Sequence, residues 1–205
     1  MNKERSGEGA ERVTRAYRQH RRAAAAEANT ERILEAGLAL FAELPFNQIT
    51  LAAVAARAGV GLQTLIRRVG TKDGLVRAVN TWVAQQVGEE RGEPTTSDPH
   101  EVAARIARQY ERWGDVIDRN LRQQDASPAL AENAQAGRDA HRRWIETAFA
   151  AELAERGPDE RHDLLGRLAA VCGVEFWLVL RRDQGLSARA AQTAIADLIT
   201  ACLSR

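Results

Sequence analysis

"TLAAVAARAGVGLQTLIRRVGTKDGL", residues 50–75, is a stretch whose pattern predicts short helices separated by glycine-containing turns. Thr50 suits the N-cap of a helix over 51–58, because its hydroxyl can accept a hydrogen bond from an unpaired backbone N–H. Gly59 can take the left-handed conformation that ends this helix. A second helix is then expected over 61–69. Two short helices joined so closely indicate a helix-turn-helix unit.

Three residues of this stretch have the spacing that a helix-turn-helix requires. Ala55 lets the two helices cross closely, Gly59 makes the turn, and Leu65 packs back on the first helix. Leu62 and Ile66 are expected to share the apolar side of the second helix with Leu65. The polar side chains of that helix can then hydrogen-bond base edges and phosphates in a DNA major groove.

The third helix of the stretch is expected to begin near Thr71, whose hydroxyl can cap it. A lysine in the first helical turn is unfavourable to the helix dipole, whereas free N–H groups and the dipole favour a phosphate there. Lys72 therefore suits a phosphate contact. Similar short patterns also occur inside helical proteins that bind no DNA. The predicted DNA contacts are Thr50, Gln63, Thr64, Arg67, Arg68, Thr71 and Lys72.

The composition is typical of a globular protein outside the membrane. The chain has 205 residues, of which 44% are hydrophobic and 28% charged. No apolar run approaches the ~18 residues that span a bilayer, and the first residues lack the apolar core of a signal peptide. A cytoplasmic location is expected, and abundant Ala and Arg favour a bacterial source. Cys172 and Cys202 fit neither a disulfide framework nor a zinc pattern, so packed thiols are expected.

Basic residues are concentrated in the first part of the chain. Residues 1–80 hold 13 Lys and Arg against 8 Asp and Glu, and residues 81–205 hold 16 against 20. This asymmetry suits a nucleic-acid contact at one end. Residues 1–28 are distinct, with five arginines and no acid from Arg12 to Arg22. Two interpretations stay open: a solvated extension, or a basic arm that reaches DNA phosphates or a minor groove.

Apolar residues recur at three- and four-residue spacing along almost the whole chain, and no segment has the pattern of a strand. Breakers are few, and the clearest linker is RGEPTTSDPH at 91–100. About nine helices are expected, so the predicted fold class is all-α. The predicted domains are a basic N-terminal extension or arm at 1–28, a helix-turn-helix domain at 29–76, and a larger helical bundle at 77–205.

The segment 32–79 carries several motifs with a characteristic spacing. They are Leu40-Phe41 at the end of a first helix, Phe46, Thr50 at a helix start, A-x-x-A-G-V from Ala55 to Val60, Thr64-Leu65-Ile66, and Lys72-Asp73-Gly74-Leu75. With these motifs the segment resembles the DNA-binding domain of TetR-type transcriptional regulators. The resemblance implies a TetR-like fold, with a DNA-reading head followed by a larger helical domain that forms a dimer and usually holds a small ligand.

The segment departs from the TetR-type pattern at four positions. Ile66 stands where the family usually has a tyrosine that often contacts a phosphate, and Val69 replaces the usual phenylalanine. Gly61 replaces a small polar residue, and Arg68 a frequent histidine. The apolar replacements keep the expected packing. Arg67, Arg68 or the N-terminal arginines are expected to compensate for the lost phosphate contact.

The last helices carry the expected dimer surface. A helix predicted over 164–183 is apolar over most of its circumference, which suits packing against its own domain and against a partner. The helix predicted over 187–203 has a stripe with small residues, which allow close approach. Both are similar to the four-helix dimer interface of the family. A homodimer through about 164–203 is therefore expected, and packing within a monomer is the alternative.

The resemblance also implies a ligand site in the C-terminal domain, where further helices are predicted over 103–121 and 138–153. Aromatic and polar side chains there can line a cavity between helices, or can simply pack the core. Both interpretations stay open for each of them. The ligand-binding candidates are Tyr110, Trp113, His141, Trp144, Phe149, Cys172 and Phe176.

The leading hypothesis is a DNA-binding transcriptional regulator, a repressor rather than an activator, that a small-molecule effector releases from a palindromic double-stranded operator. One alternative is a helical enzyme or ligand carrier that retains the head as a scaffold, although no catalytic, metal-binding or phosphate-cradling motif supports it. Another is a helical co-regulator whose helix-turn-helix head contacts protein rather than DNA. No cofactor is expected.

Overall fold

The computed structural model describes residues 25–204, and every regular element in this range is helical, so the predicted all-α class is confirmed. None of these helices is long and apolar enough to cross a membrane. Of the predicted basic arm, residues 1–24 lie outside the described range. The helices are α1 (25–43), α2 (Leu51–Ala58), α3 (Leu62–Val69), α4 (Lys72–Arg91), α5 (Pro99–Arg122), α6 (Pro128–Ala148), α7 (Ala150–Ala154), α8 (Pro158–Val171), α9 (Val174–Leu178) and α10 (Ala188–Leu203), with 3-10 turns at Phe46–Gln48 and Gln124–Ala126 and a π-helical turn at Val179–Asp183.

The chain divides into two compact units, Met1–Val79 and Asn80–Arg205. In the first unit, α1, α2, α3 and the start of α4 surround one apolar core. Ile33, Val54 and Leu65 are fully buried in it. Each such side chain contributes about 1.5–3 kcal/mol through removal of its surface from water. The core therefore holds the short α2 and α3, which are too short to be stable as isolated helices.

The second unit is a bundle in which α5 and α10 share the most extensive contact. Its core is continuous from α5 to α10 and includes the fully buried Ile106, Phe149, Ile195 and Ile199. Trp177 is 1% exposed and lies in the same cluster. The buried positions of α10 recur at three- and four-residue spacing, as the stripe of small and apolar residues predicts.

The helix predicted over 164–183 is interrupted, so its predicted continuity is wrong. α8 ends at Val171, and α9 begins at Val174 after Gly173, whose backbone is extended (φ −74°, ψ 154°). The Gly173 N–H donates to the Ala170 carbonyl oxygen at 3.1 Å, which closes a tight corner. An isolated glycine is tolerated within many helices, so the sequence alone gives only a weak signal for this break.

The single helix predicted over 138–153 is also corrected. α6 begins already at Pro128, where the Ser127 hydroxyl caps it by accepting from the Leu130 N–H at 3.2 Å. The helix ends at Ala148, and the backbone then leaves the helical conformation at Phe149 (φ −112°, ψ 29°). Because its ring is fully buried, the break turns the chain around a core side chain. The short α7 follows this corner.

The junction between α3 and α4 depends on two glycines. Gly70 has φ 70° and ψ −75°, and the Thr71 N–H donates to the Val69 carbonyl oxygen at 2.8 Å, as in a γ-turn. A residue with a side chain would be strained at this positive φ, so glycine suits the position. A Cβ on Gly74 would lie only 1.9 Å from the same Val69 oxygen. This close approach leaves no room for any other residue.

We predict that Gly74→Ala lowers the free energy of unfolding by about 1–3 kcal/mol, because the methyl group forces the α3–α4 junction apart. Gly88→Ala on the same helix is the matched control. A Cβ there meets nothing within 4 Å, so the change is expected to stabilise the protein by up to about 1 kcal/mol. Urea unfolding followed by circular dichroism measures both. Equal effects of the two substitutions would contradict the close approach at Gly74.

Candidate nucleic-acid interface

Local hydrogen bonds form the predicted turn between α2 and α3. The Thr50 hydroxyl accepts from the Ala53 N–H at 3.1 Å, which confirms the predicted N-cap. Gly59 is left-handed, with φ 63° and ψ 37°. The Val60 N–H then donates to the Ala55 carbonyl oxygen at 3.0 Å, a bond typical of a helix that ends in a left-handed residue. The helix-turn-helix geometry therefore follows from residues that are adjacent in the chain.

Leu65 alone among the three predicted apolar residues of α3 is buried. It is 0% exposed and faces α2, whereas Leu62 is 40% and Ile66 37% exposed. The expectation that all three share a buried side is wrong. A helix turns about 100° per residue, so a helix of eight residues packed at one point buries only a narrow strip. The other two apolar residues remain at the surface.

The outward side of α3 combines polar and apolar groups. Leu62, Gln63, Ile66 and Arg67 are all exposed, and their spacing places them side by side on the helix. Within the described range, Arg67 forms neither an ion pair nor a hydrogen bond. Its guanidinium is therefore available to an external acceptor, such as a phosphate or the edge of a guanine.

Arg68 and Thr64 lie beside this outward side. Arg68 is exposed, and its Nη2 donates to the Ala26 carbonyl oxygen of α1 at 3.1 Å. This bond links the end of α3 to the start of the described part of α1. Thr64 is half-buried. Both predicted contact residues thus lie at the edge of the outward side of α3. Arg68 also bonds to α1, and Thr64 is partly covered by the rest of the unit.

The predicted contacts at the helix starts have partners inside the unit. Besides the cap that Thr50 provides for α2, the Thr71 hydroxyl accepts from the Gly74 N–H at 3.0 Å and caps α4. The Lys72 ammonium donates to the Phe46 carbonyl oxygen and lies 4.0 Å from the centroid of that ring. Its burial lowers the pKa of Lys72. These three residues therefore stabilise the frame on which α3 is mounted.

A surface ion pair neutralises another arginine of the head. Arg57 Nη2 lies 2.7 Å from Glu43 Oε1, and Arg57 Nη1 lies 2.5 Å from the second carboxylate oxygen. The hydrogen bond from Arg57 lowers the pKa of the Glu43 carboxyl, against a smaller opposing effect of burial. Neither Arg67 nor Arg68 of α3 forms such an ion pair with an acid of residues 25–204, so the positive charge of the head that remains available lies on α3.

The ligand-binding candidates fall into two sets, and one set belongs to the core. The Tyr110 hydroxyl donates to the Cys172 carbonyl oxygen at 3.0 Å, and both residues are buried. Burial raises the pKa of the Cys172 thiol to about 12 and also raises the pKa of Tyr110, so both groups are protonated at neutral pH. Phe149 is fully buried, and Phe176 packs at the edge of the same core. Trp113 donates from Nε1 to Glu90 at 3.0 Å.

The other set surrounds Arg91, a residue that the sequence analysis did not single out. The Arg91 guanidinium carbon lies 3.8 Å from the centroid of the Trp144 ring. Its Nη2 is 3.4 Å from His141 Nδ1. Burial, with the nearby Arg91 charge, lowers the pKa of His141 to about 4. Tyr110 and Cys172 also lie within electrostatic range of Arg91. A single arginine at a helix end gives no sequence signal of burial.

The comparison with known families agrees with the geometry of the head. Residues 33–79 match the family described as "Bacterial regulatory proteins, tetR family". The matched range runs from the buried Ile33 of α1 through α2 and α3 to the buried Val79 of α4. It therefore contains the whole helix-turn-helix and its supporting core. No curated protein sequence matches the chain significantly.

Solved structures share the fold at low sequence identity. A transcriptional regulator from Rhodococcus sp. Rha1 has a TM-score of 0.68 and 18% identity, over 85% of this chain and 96% of that one. A TetR transcriptional regulator from Rhodococcus sp. RHA1 has a TM-score of 0.51 and 22% identity, over 86% and 96%. The multidrug binding protein EbrR, solved with imidazole, has a TM-score of 0.55 and 19% identity, over 82% and 88%. These likenesses establish the fold.

The matched head and the shared fold support the resemblance seen in the motifs of residues 32–79. The family match contains the helix-turn-helix, and the structural likeness extends over most of the chain. Residues 33–79 therefore match the tetR family of bacterial regulatory proteins, and the chain shares its all-helical fold with solved transcriptional regulators.

Proposed function

We propose that the protein is a transcriptional repressor that binds a palindromic DNA operator as a homodimer and is released by a small-molecule effector. The observation that carries the DNA-binding part is the outward side of α3. There Arg67, which has no partner among residues 25–204, stands beside Gln63, while Leu65 fixes the opposite side against α2. A helix held in this way can enter a major groove with its polar side chains towards the bases. The protein would act in the cytoplasm, where the DNA lies.

Each exposed group of α3 has a DNA partner of matching chemistry. Arg67 can donate two hydrogen bonds to a guanine or neutralise a phosphate, and Gln63 can pair with an adenine. The exposed Ile66 and Leu62 can contact the methyl group of thymine, which offers an apolar surface in the major groove. With Ile66 in place of the tyrosine that is usual in the family, α3 loses a phosphate contact and gains an apolar group that favours thymine.

The remaining predicted contacts have a supporting place in this proposal. Thr50 and Thr71 cap the helices that flank α3, and other backbone N–H groups at the starts of these helices lie where phosphates bind favourably. Lys72 holds the Phe46 turn and keeps two further N–H donors for a phosphate. The domain limits follow the same division: an arm at 1–28, a reading head at 29–76 and a dimer and effector domain at 77–205.

Dimerisation through residues 164–203 is supported by apolar side chains that stay exposed there. Val179 is 41% and Leu198 40% exposed, and Leu198 lies on α10, whose other side is in the core. Association would remove these side chains from water. A two-fold dimer presents two copies of α3 to half-sites about 34 Å apart, which matches a palindromic operator.

An effector is supported by one of the structural neighbours, a multidrug binding protein solved with imidazole. A ligand can release the operator only by binding one arrangement of the protein better than the DNA-bound one. The same exposed Leu62 and Ile66 also favour a second candidate function. In that case the head contacts another protein through an apolar surface, and the chain is a co-regulator.

We predict that Arg67→Ala with Arg68→Ala reduces operator affinity at least tenfold, because phosphate or guanine contacts are lost. The slope of log affinity against log salt should fall by about 2 for each head, and so by about 4 for the dimer, if all of these arginines neutralise phosphates. Genomic fragments that the wild type retains supply the operator, which a footprint then locates. Fluorescence anisotropy at several salt concentrations measures the change.

Arg57→Ala is the matched control, since it removes an arginine of the same head that Glu43 already neutralises. Its affinity should stay within about twofold of the wild type. Unchanged affinity in the double variant would exclude α3 as the reading helix. A wild type that binds no genomic fragment but retains a protein partner would instead favour the co-regulator.

We predict that Leu198→Asp converts the dimer to a monomer, because a buried unpaired carboxylate at the interface is costly. Analytical ultracentrifugation measures the oligomeric state, and operator affinity should fall with it because the two heads no longer bind together. Thr193→Asp adds the same charge at another exposed position of α10 and should leave the dimer intact. A wild-type monomer, or a dimer in both variants, would contradict the proposed interface.

A further inference from the structure

Arg91, the last residue of α4, is a buried cation. It is only 6% exposed, and no acidic side chain of the described residues pairs with it. Its Nε is buried and has no hydrogen-bond partner. An unpaired charge inside a protein costs several kcal/mol, so buried arginines ordinarily have a carboxylate beside them. Within the described part of the chain, no carboxylate offsets this cost at Arg91.

The side chains that the Arg91 guanidinium contacts, His141 and Trp144, are neutral. His141 Nε2 lies 3.0 Å from the Ala169 carbonyl oxygen, to which it can only donate. Its Nδ1 is therefore an acceptor and receives one N–H of Arg91 at 3.4 Å. Tyr110 and Cys172 are protonated, because burial raises the pKa of both. The guanidinium also stacks on the aromatic face of Trp144, which attracts a cation without neutralising it.

The backbone on both sides of this side chain is held in place. Arg105 Nη1 donates to the Arg91 carbonyl oxygen at 3.0 Å, and Trp144 Nε1 donates to the Gly92 carbonyl oxygen at 2.8 Å. Trp144 thus fixes the helix end with its N–H and supports the guanidinium with its ring. The planar group is positioned before any ligand arrives, which lowers the entropic cost of binding one.

A second arginine of the same unit shows the ordinary arrangement. The Arg112 guanidinium carbon lies 4.9 Å from the centroid of the Trp113 ring, so it too stacks on a tryptophan. Its side chain, however, is 57% exposed, and Nη1 lies 3.6 Å from a Glu90 carboxylate oxygen. Stacking on tryptophan therefore does not by itself explain a buried arginine that lacks an acid.

We infer that Arg91 is the anchor of a binding site for a small organic carboxylate with an apolar body, and that His141 and Trp144 position it. The inference rests on the proposal that this unit receives an effector, and it names the chemical class of that effector. One guanidinium can pair with one carboxylate through two parallel hydrogen bonds. A single negative charge balances the single positive charge, and the adjoining core, which includes Tyr110, suits an apolar remainder.

Thermal unfolding of the full chain with simple probes tests this inference. The probes are benzoate and acetate, each compared with its neutral amide, benzamide or acetamide. A carboxylate that binds the native state should raise the Tm by about 3 °C or more at concentrations several-fold above its Kd. Benzoate should act at a lower concentration than acetate, and the amides should have no such effect.

Arg91→Met should abolish the benzoate response, and Arg112→Met, the matched control, should retain it. Circular dichroism verifies that each variant is folded. If Arg91→Met does not fold, Arg91→Lys replaces it and should weaken the response at least fivefold, because an ammonium lacks the planar pair of donors. A wild type that responds equally to carboxylates and amides, or a full benzoate response in the Arg91 variant, would overturn the site.

The assay contains no DNA, so its result is independent of operator binding. A carboxylate response without any genomic footprint would remove the proposed DNA reading and leave the anion site standing. A footprint without a carboxylate response would remove the anion site and leave the proposed DNA reading standing. If both are found, benzoate added to the DNA-binding assay should weaken wild-type affinity for the operator and leave that of folded Arg91→Met unchanged.

Discussion

The burial of Leu65 against α2 determines what the N-terminal unit can present to a partner. α3 has eight residues and one fully buried side chain, so this contact sets the rotation of the whole helix. Burying leucine contributes about 1.5–3 kcal/mol, and the geometry permits only one such anchor on so short a helix. Ile66 and Leu62 consequently face outward although they are apolar. Arg67 faces outward for the same reason, and its position depends on the core more than on its own chemistry.

Turn and cap residues of the head could be predicted because they act on neighbours in the chain. Thr50 caps α2 and Gly59 ends it as expected, since each bond joins residues at most five positions apart. Partners from other elements could not be predicted in this way. Lys72 reaches Phe46 and Arg68 reaches Ala26, and both contacts depend on how α1, α3 and α4 pack together.

The second unit shows the same limit at the level of whole helices. The apolar periodicity predicted helical segments throughout, but it did not reveal the corner at Gly173, because a helical pattern continues across it. The aromatic residues were also apparent from the sequence, yet their burial and polar partners were not. Arg91 is the sharpest case, since an arginine at the end of a helix is normally solvated and favourable to the helix dipole. Only its position in the folded bundle distinguishes it.

Another largely buried charge in the second unit does have partners, and this contrast makes the lack of a described acidic partner at Arg91 informative. Asp118, whose side chain is 12% exposed, receives Arg122 at 2.8 Å and Arg182 at 3.1 Å. A largely buried acid on α5 thus has two cations, and one of them also ties the π-helical turn to α5. The bundle is therefore able to supply partners for buried charge. Because it supplies none among the described residues for Arg91, the missing negative charge is best explained as one that a ligand brings.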